Sequence, residues 1–239
     1  MMNPTHTISA AFLSRTDYRE CRDLQQKLFD QRSRGFIDDT LLLTEHSPVY
    51  TIGTGGDPDH LLVSTDELPA IGAEFVQTDR GGDITFHGPG QLVGYPILDL
   101  AEYACDLHRY LRNLEEVVIR VLARFDVVGR RSEGYTGVWV GGEKICAIGV
   151  RSSRWVTMHG FALNVSTDLS YFDKIIPCGI FEKGVTSLEA VKSSSVSLGD
   201  VTPIVVEEFG RIFDAEMVCV SDIPVIGGAR LQLHDRISA

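Results

Sequence analysis

Gly137-Val138-Trp139-Val140-Gly141-Gly142-Glu143-Lys144-Ile145-Cys146-Ala147-Ile148-Gly149-Val150 opens a run to Val165 that reads as a meander of three strands. Branched and aromatic residues dominate it, and Gly141-Gly142 is a two-residue hairpin signal. Arg151-Ser152-Ser153-Arg154 supplies a second turn, after which Trp155 to Val165 returns. Consecutive strands joined by tight turns break any regular βαβ alternation, so the chain reads as an α+β or mixed-sheet domain.

Upstream, Asp17 and Glu20 have capping-box spacing around Tyr18, Cys21, Leu24 and Leu28, which predicts a helix over 17–34 that Gly35 can stop. Short strands are expected at 40–45 and 49–52, and a buried one at 92–98. Asp106 opens the strongest helical pattern, from Leu107 through Leu114 and Val121 to Phe125. A last helix is expected from Thr202-Pro203, with proline at its first position, to about Ala215. The Ser-rich stretch 193–197 reads as a surface loop, and the whole of 1–239 as a single domain.

Composition excludes several classes of function. Asp and Glu outnumber Lys and Arg by 33 to 22, giving a net charge of −11, which suits nucleic-acid binding poorly. Residues 130–154 run against that trend, with Arg130, Arg131, Lys144, Arg151 and Arg154 against Glu133 and Glu143. The segment reads either as a solvated face or as a dock for an acidic partner. No apolar run approaches the roughly 18 residues of a membrane span. The N-terminal stretch carries neither a secretory nor an Arg-rich transit pattern, and five cysteines without motif spacing suit a reducing compartment. A cytoplasmic protein is expected.

The densest chemistry lies in 79–96, where glycines and prolines surround Arg80, Thr85, His87 and Gln91. Such a stretch is either a long hairpin loop or a place where backbone approaches a ligand closely. It is neither a P-loop nor a dinucleotide fingerprint. Cys178 stands between Pro177 and Gly179 in an irregular loop and reads as a nucleophile or as a small buried hydrophobe. As a nucleophile it needs a cationic partner, because an ordinary thiol is only about 3% ionised at pH 7. Bringing its pKa to about 7 takes roughly 2 kcal/mol, within the reach of one cation at about 4 Å. Lys144, His87 and His159 are the candidates; Lys144 also reads as an ordinary hairpin-end lysine, and His159 as a structural histidine. No His, Cys, Asp or Glu set has metal-ligand spacing, so neither a metal nor a cofactor is expected.

These blocks, taken together, resemble one family, the lipoyl(octanoyl) transferases of protein lipoylation. The matching segments run from Arg80-Gly81-Gly82 and Thr85-Phe86-His87-Gly88-Pro89-Gly90-Gln91 to Tyr95-Pro96 and Gly137-Val138-Trp139-Val140. Gly142-x-Lys144-Ile145-x-Ala147-Ile148-Gly149-Val150, His159-Gly160-Phe161-Ala162-Leu163-Asn164, Pro177-Cys178-Gly179 and Val185-Thr186-Ser187-Leu188 follow in the family's order. The resemblance implies the fold of biotin and lipoate protein ligases, an α/β (α+β) architecture with a mixed β-sheet flanked by helices. It implies transfer of octanoyl from octanoyl-acyl carrier protein to the target lysine of lipoyl domains, those of 2-oxoacid dehydrogenase E2 subunits and of glycine cleavage H protein. By the same resemblance Cys178 carries the acyl thioester and Lys144 activates it. The substrate-binding walls would be Arg80, Gly81, Gly82, Asp83, Ile84, Thr85, Phe86 and His87, then Ala147, Ile148 and Gly149, then Gly160, Phe161 and Ala162.

Three positions depart from the family pattern. Phe86 stands where tyrosine is frequent, Cys146 replaces a small residue and would add volume and a second thiol beside the site, and Thr54 stands where an arginine often follows the glycine. The competing activities are an ATP-dependent lipoate-protein ligase, whose ATP loop is unmatched, and an amidotransferase that moves octanoyl between lipoyl domains. A silent acyl-binding protein would need neither Cys178 nor Lys144.

Overall fold

The hairpin predicted at Gly141-Gly142 forms in the computed structural model, which describes residues 6–176 and 184–221. Both glycines have positive φ, +58° and +98°, the requirement of a tight turn whose twist matches its strands. It joins β8 (Tyr135–Val140) to β9 (Glu143–Ser153), which returns antiparallel as β10 (Val156–Asn164). The second turn falls later than expected. Ser152 and Ser153 pair with Thr157 and Val156, so the turn is Arg154-Trp155, two non-glycine residues held at φ +51° and +67°. The arginines and serines of 151–153 lengthen the strand instead of ending it.

Around this meander the described residues form two sheets. The first elements are β1 (His6–Thr16), α1 (Tyr18–Arg32), β2 (Asp39–His46) and β3 (Val49–Ile52). Then come β4 (Glu74–Gln77), β5 (Thr85–His87), β6 (Gln91–Ile97), α2 (Leu107–Ala123) and β7 (Arg130–Ser132). After the meander stand α3 (Leu188–Lys192), α4 (Leu198–Phe213) and β11 (Ala215–Cys219). Eight strands pair in the order β11-β1-β2-β6-β10-β9-β8-β7, parallel at β11-β1-β2 and antiparallel beyond. A second sheet, β4-β3-β5, carries its own core around Tyr50, Ile84, Phe86 and Phe172. The fold is the expected mixed sheet flanked by helices.

Each face of the large sheet has its own helices. Leu114, Val117, Val118, Val121 and Leu122 of α2 join Val201, Val205 and Phe209 of α4 over one face. Cys21, Leu24 and Leu28 of α1 cover Val93, Tyr95 and Ala162 on the other. Asp17 caps α1 by accepting from the amides of Arg19 and Glu20, and Asp106 caps α2 through Arg109.

The last helix corrects the sequence reading. It starts at Leu198, because Ser197 and Asp200 form a reciprocal capping box, and Pro203 lies inside it. The strand β1 was not expected either; Ala10, Ala11, Ser9 and Ser14 give it weak strand character, and Ser14 at φ +57° sits where its register with β2 shifts. Of the described residues, no helix is long and apolar enough to cross a membrane.

Candidate active site

Small residues in register build the floor of a cavity on the α1 side of the large sheet. Ala147 and Gly149 of β9 lie opposite Ala162 and Gly160 of β10, and Ala162 lies opposite Val93 of β6. Residues of 80–87 roof it, and the space amounts to about 530 Å³ including its open mouth. Arg80, Gly82, Asp83, Ile84, Thr85, His87, Lys144, Ala147, Ile148, Gly149, Gly160, Phe161 and Ala162 all line it. Gly81 and Phe86 stand behind the lining. The Gly81 amide donates to Val150 O at 2.9 Å, and Phe86 packs on Tyr50 and Tyr171 in the smaller core.

Glycine is required where roof meets floor, at Gly149, and between neighbouring strands of the floor, at Gly160. A Cβ on Gly149 would lie 2.8 Å from Gly81 O, and one on Gly160 only 2.1 Å from Gly94 O. The roof is fixed by its own side chains. Arg80, 7% exposed, donates through Nη2 to Thr51 O at 2.7 Å and Thr51 Oγ1 at 2.9 Å, and through Nη1 to Gly81 O. Asp83 accepts from the Ile84 amide and lies 2.6 Å from His60 Nδ1. The amides of Thr54 and Gly55 donate to Arg80 O and Gly82 O, so the edge that lacks the family's arginine braces the roof through backbone.

A directed chain of hydrogen bonds runs from the roof to Lys144. Gln91 Nε2 donates to Phe86 O and to Asn164 Oδ1, which leaves Gln91 Oε1 to accept the Nδ1–H of His87 at 2.8 Å. Asn164 Nδ2 donates to Thr186 O, and the Thr186 amide donates to Lys144 O. Burial, reinforced by repulsion from His46, lowers the His87 pKa to about 3, so its ring is a neutral Nδ1–H tautomer. Gln91 and Asn164 belong to the quoted family blocks, but nothing in the sequence alone joined them.

Lys144 itself is buried, with Nζ 4.9 Å from the centre of the Trp139 ring. Its amide donates to Gly184 O at 2.9 Å and its carbonyl accepts from Thr186, so residues 184–186 run beside it as a short parallel bridge. Before residue 177 the Ile176 amide donates to His60 O. Cys178 falls within 177–183, outside the described residues. Cys146, the second thiol expected beside the site, turns into the core under α2, and burial pushes its pKa up.

Tyr18, Val93, Tyr95, Thr136 and His159 complete the lining. Tyr18 was read only as part of a helix stripe and Val93 as part of a strand, because periodicity does not distinguish a core face from a cavity wall. His159, held at φ +60°, reaches Asp79 through Nε2 at 2.8 Å, and this bond is the main cause that lowers the Asp79 pKa to about 2. The basic segment is divided: Arg131 pairs with Glu115 and Glu116, Arg151 with Asp79, and Lys144 lies in the cavity wall. Among the described residues no group of three or more His, Cys, Asp or Glu is placed to hold a metal ion.

Residues 17–210 match the family model described as the lipoyl protein ligase A/B catalytic domain. The chain is 55% identical over 199 residues to an octanoyltransferase of Rubrobacter xylanophilus, covering 82% of this chain and 89% of that relative. Its fold is similar to a lipoate-protein ligase A solved with ATP, with a TM-score of 0.74 at 17% identity over 90% and 88% of the two chains. A biotin protein ligase from Aquifex aeolicus, solved with biotin and ATP, superposes with a TM-score of 0.52 at 14% identity over 86% and 70%.

Proposed function

The chain belongs to the lipoyl protein ligase A/B catalytic-domain family, with the octanoyltransferases, and from that premise we propose that it transfers octanoyl from octanoyl-acyl carrier protein to a lysine of a lipoyl domain through a thioester on Cys178. The observation that carries the reading is the placement of Lys144. It is a buried lysine in the wall of the cavity, paired through its backbone with residues 184–186, which follow Cys178 in the chain. A lysine so placed suits acid–base work on a thiol and amine more than solvation.

In this reading the Cys178 thiolate attacks the carrier thioester, a C–S bond forms to Cys178, and the carrier thiolate leaves with a proton from Lys144. Thioester exchange is nearly balanced, so the step needs no ATP. The acceptor amine then attacks the acyl-enzyme, Lys144 takes its proton, and formation of the amide releases Cys178. Six methylenes of the acyl chain, buried at about 0.8 kcal/mol each, give roughly 5 kcal/mol to hold the donor.

Intact-protein mass spectrometry tests this directly. Mixed with octanoyl-acyl carrier protein and no ATP, the protein should gain a hydroxylamine-labile octanoyl adduct, and Cys178→Ala should not. An adduct that survives in Cys178→Ala, or none in either protein, would end the covalent mechanism.

A further inference from the structure

The lining of the cavity reaches across three strands of the large sheet, from β9 through β10 to β6, and differs in kind from one side to the other. Thr136 and Lys144 stand at the β8–β9 end. From Lys144 the floor runs three residues along β9 to Ala147 and then crosses Ala162 to Val93, which stands two inter-strand spacings or about 10 Å from Ala147. Beyond Val93 stands a group of packed rings. Tyr18 stacks on His87 with centroids 5.8 Å apart and planes 8° from parallel. His46 lies behind both, 5.2 Å from Tyr18 and 5.9 Å from His87, with its Nε2 2.7 Å from Tyr95 Oη. His46 is wholly buried, and Tyr18 also packs on Val49 and Val76. These rings are wedged against one another and against core, so the far end of the cavity has little room to yield.

We propose that Val93 and the Tyr18–His87–Tyr95 wall set the length of the acyl chain, with the methyl end of an eight-carbon chain meeting that wall when its carbonyl lies beside Lys144. The inference rests on the acyl-transfer reading above and adds the element that measures the substrate. Two alanines followed by a valine give a floor that is widest near the reacting end and narrows toward the methyl end. A chain longer by two methylenes must displace a packed ring, and a shorter one leaves apolar surface unfilled.

The two sides of this idea predict opposite shifts. Tyr18→Ala removes one ring from the wall and should raise the preference for decanoyl over octanoyl thioesters by about tenfold or more, the usual discrimination of a methylene-sized change. Val93→Ile adds a methyl at the narrow point and should shift preference toward hexanoyl by a similar factor, about tenfold. The assay compares kcat/KM for hexanoyl, octanoyl, decanoyl and dodecanoyl thioesters of a small thiol, beside calorimetric binding of the free fatty acids. Opposite shifts in both readouts support the wall. An octanoyl optimum unchanged in folded Tyr18→Ala and Val93→Ile overturns it while leaving the acyl-transfer reading intact. If Tyr18→Ala fails to fold, Val93→Ile alone decides, and an unchanged optimum there overturns it too. A wild-type protein that neither binds nor transfers any of these chains overturns the acyl-transfer reading, and the wall with it.

Discussion

Replacing Gln91 with leucine tests the hydrogen-bond chain that ties the roof of the cavity to Lys144. Gln91 is 1% exposed, and its amide serves three partners: His87 Nδ1–H, Phe86 O and Asn164 Oδ1. Leucine keeps the approximate volume and removes every one of these bonds. Gln91 is the one hydrogen-bond partner of His87 Nδ1 and of Asn164 Oδ1 among the described residues, and the Phe86 carbonyl loses a donor. A buried polar group left unpaired costs about 1–3 kcal/mol, so the two stranded side chains alone predict a loss of about 2–6 kcal/mol. That is a large fraction of the roughly 5–15 kcal/mol by which a domain is stable. Urea denaturation at pH 7 reads it as a lower midpoint at unchanged slope. Gln91→Glu separates hydrogen bonding from shape, because a carboxylate can still accept from His87 but cannot donate. It should lose stability at pH 7 and raise the His87 pKa, so that its stability falls less steeply than that of Gln91→Leu on acidification. A Gln91→Leu protein within 1 kcal/mol of wild type would refute the reasoning, since the chain would then contribute no more than an ordinary surface contact.

Burial holds the pKa of His46 at about 4 and, with repulsion from His46, that of His87 at about 3, below the unfolded value near 6.5. Between pH 6.5 and 4 the unfolded chain therefore binds more protons than the folded one, and stability falls as pH falls, by up to about 1.4 kcal/mol per pH unit for each histidine. Urea titrations across that window should show the slope, and His46→Gln should remove about half of it; an identical slope would count against buried neutral rings. Gly160→Ala places a Cβ 2.1 Å from Gly94 O and 2.6 Å from Pro96 Cδ, neither of which can swing aside. It should cost about 3 kcal/mol or more by thermal unfolding, whereas Gly81→Ala, 3.3 Å from Val150 O, should cost under about 1. Lys144→Met keeps the backbone bridge to residues 184–186 and should lower kcat by about 10²–10⁴-fold with an unaltered circular dichroism spectrum, and full activity would remove Lys144 from the chemistry.

The meander was readable because Gly141-Gly142 leaves its turn no alternative and the strands around it are rich in branched residues. The helix caps at Asp17 and Asp106 were readable for the same local reason. Pro203 misled because proline at the first helical position is a strong habit, while Ser197, which starts the helix together with Asp200, closed a serine-rich stretch that resembled a loop. Local composition singled out Arg80, Thr85, His87 and Lys144, but only the family resemblance grouped them with Ala147 and Gly160 from segments far apart in the chain. Tyr18 and Val93 stayed hidden because a helix stripe and a strand core present the same periodicity whether they face other side chains or an open space. His60 belongs to no motif in the sequence. Only the fold shows it 2.6 Å from Asp83 in the roof and accepting the Ile176 amide through its carbonyl.

An alkyl chain and a wall of histidines and tyrosines look mismatched, yet the bonding around the rings resolves the difficulty. His87 gives its Nδ1–H to Gln91, His46 and Tyr95 share a 2.7 Å hydrogen bond, and both imidazoles are kept neutral by burial. With those polar atoms committed to protein partners, what the wall offers an acyl chain is uncharged ring surface. The same commitments continue through Gln91, Asn164 and Thr186 to the backbone of Lys144. One network thus does two things that a site for acyl transfer requires. It makes the far end of the cavity apolar and unyielding, and it holds the lysine at the near end in a fixed relation to that wall. A chain that fills the space between them has its carbonyl placed by its own length, so selection of the acyl group and alignment for attack become the same event.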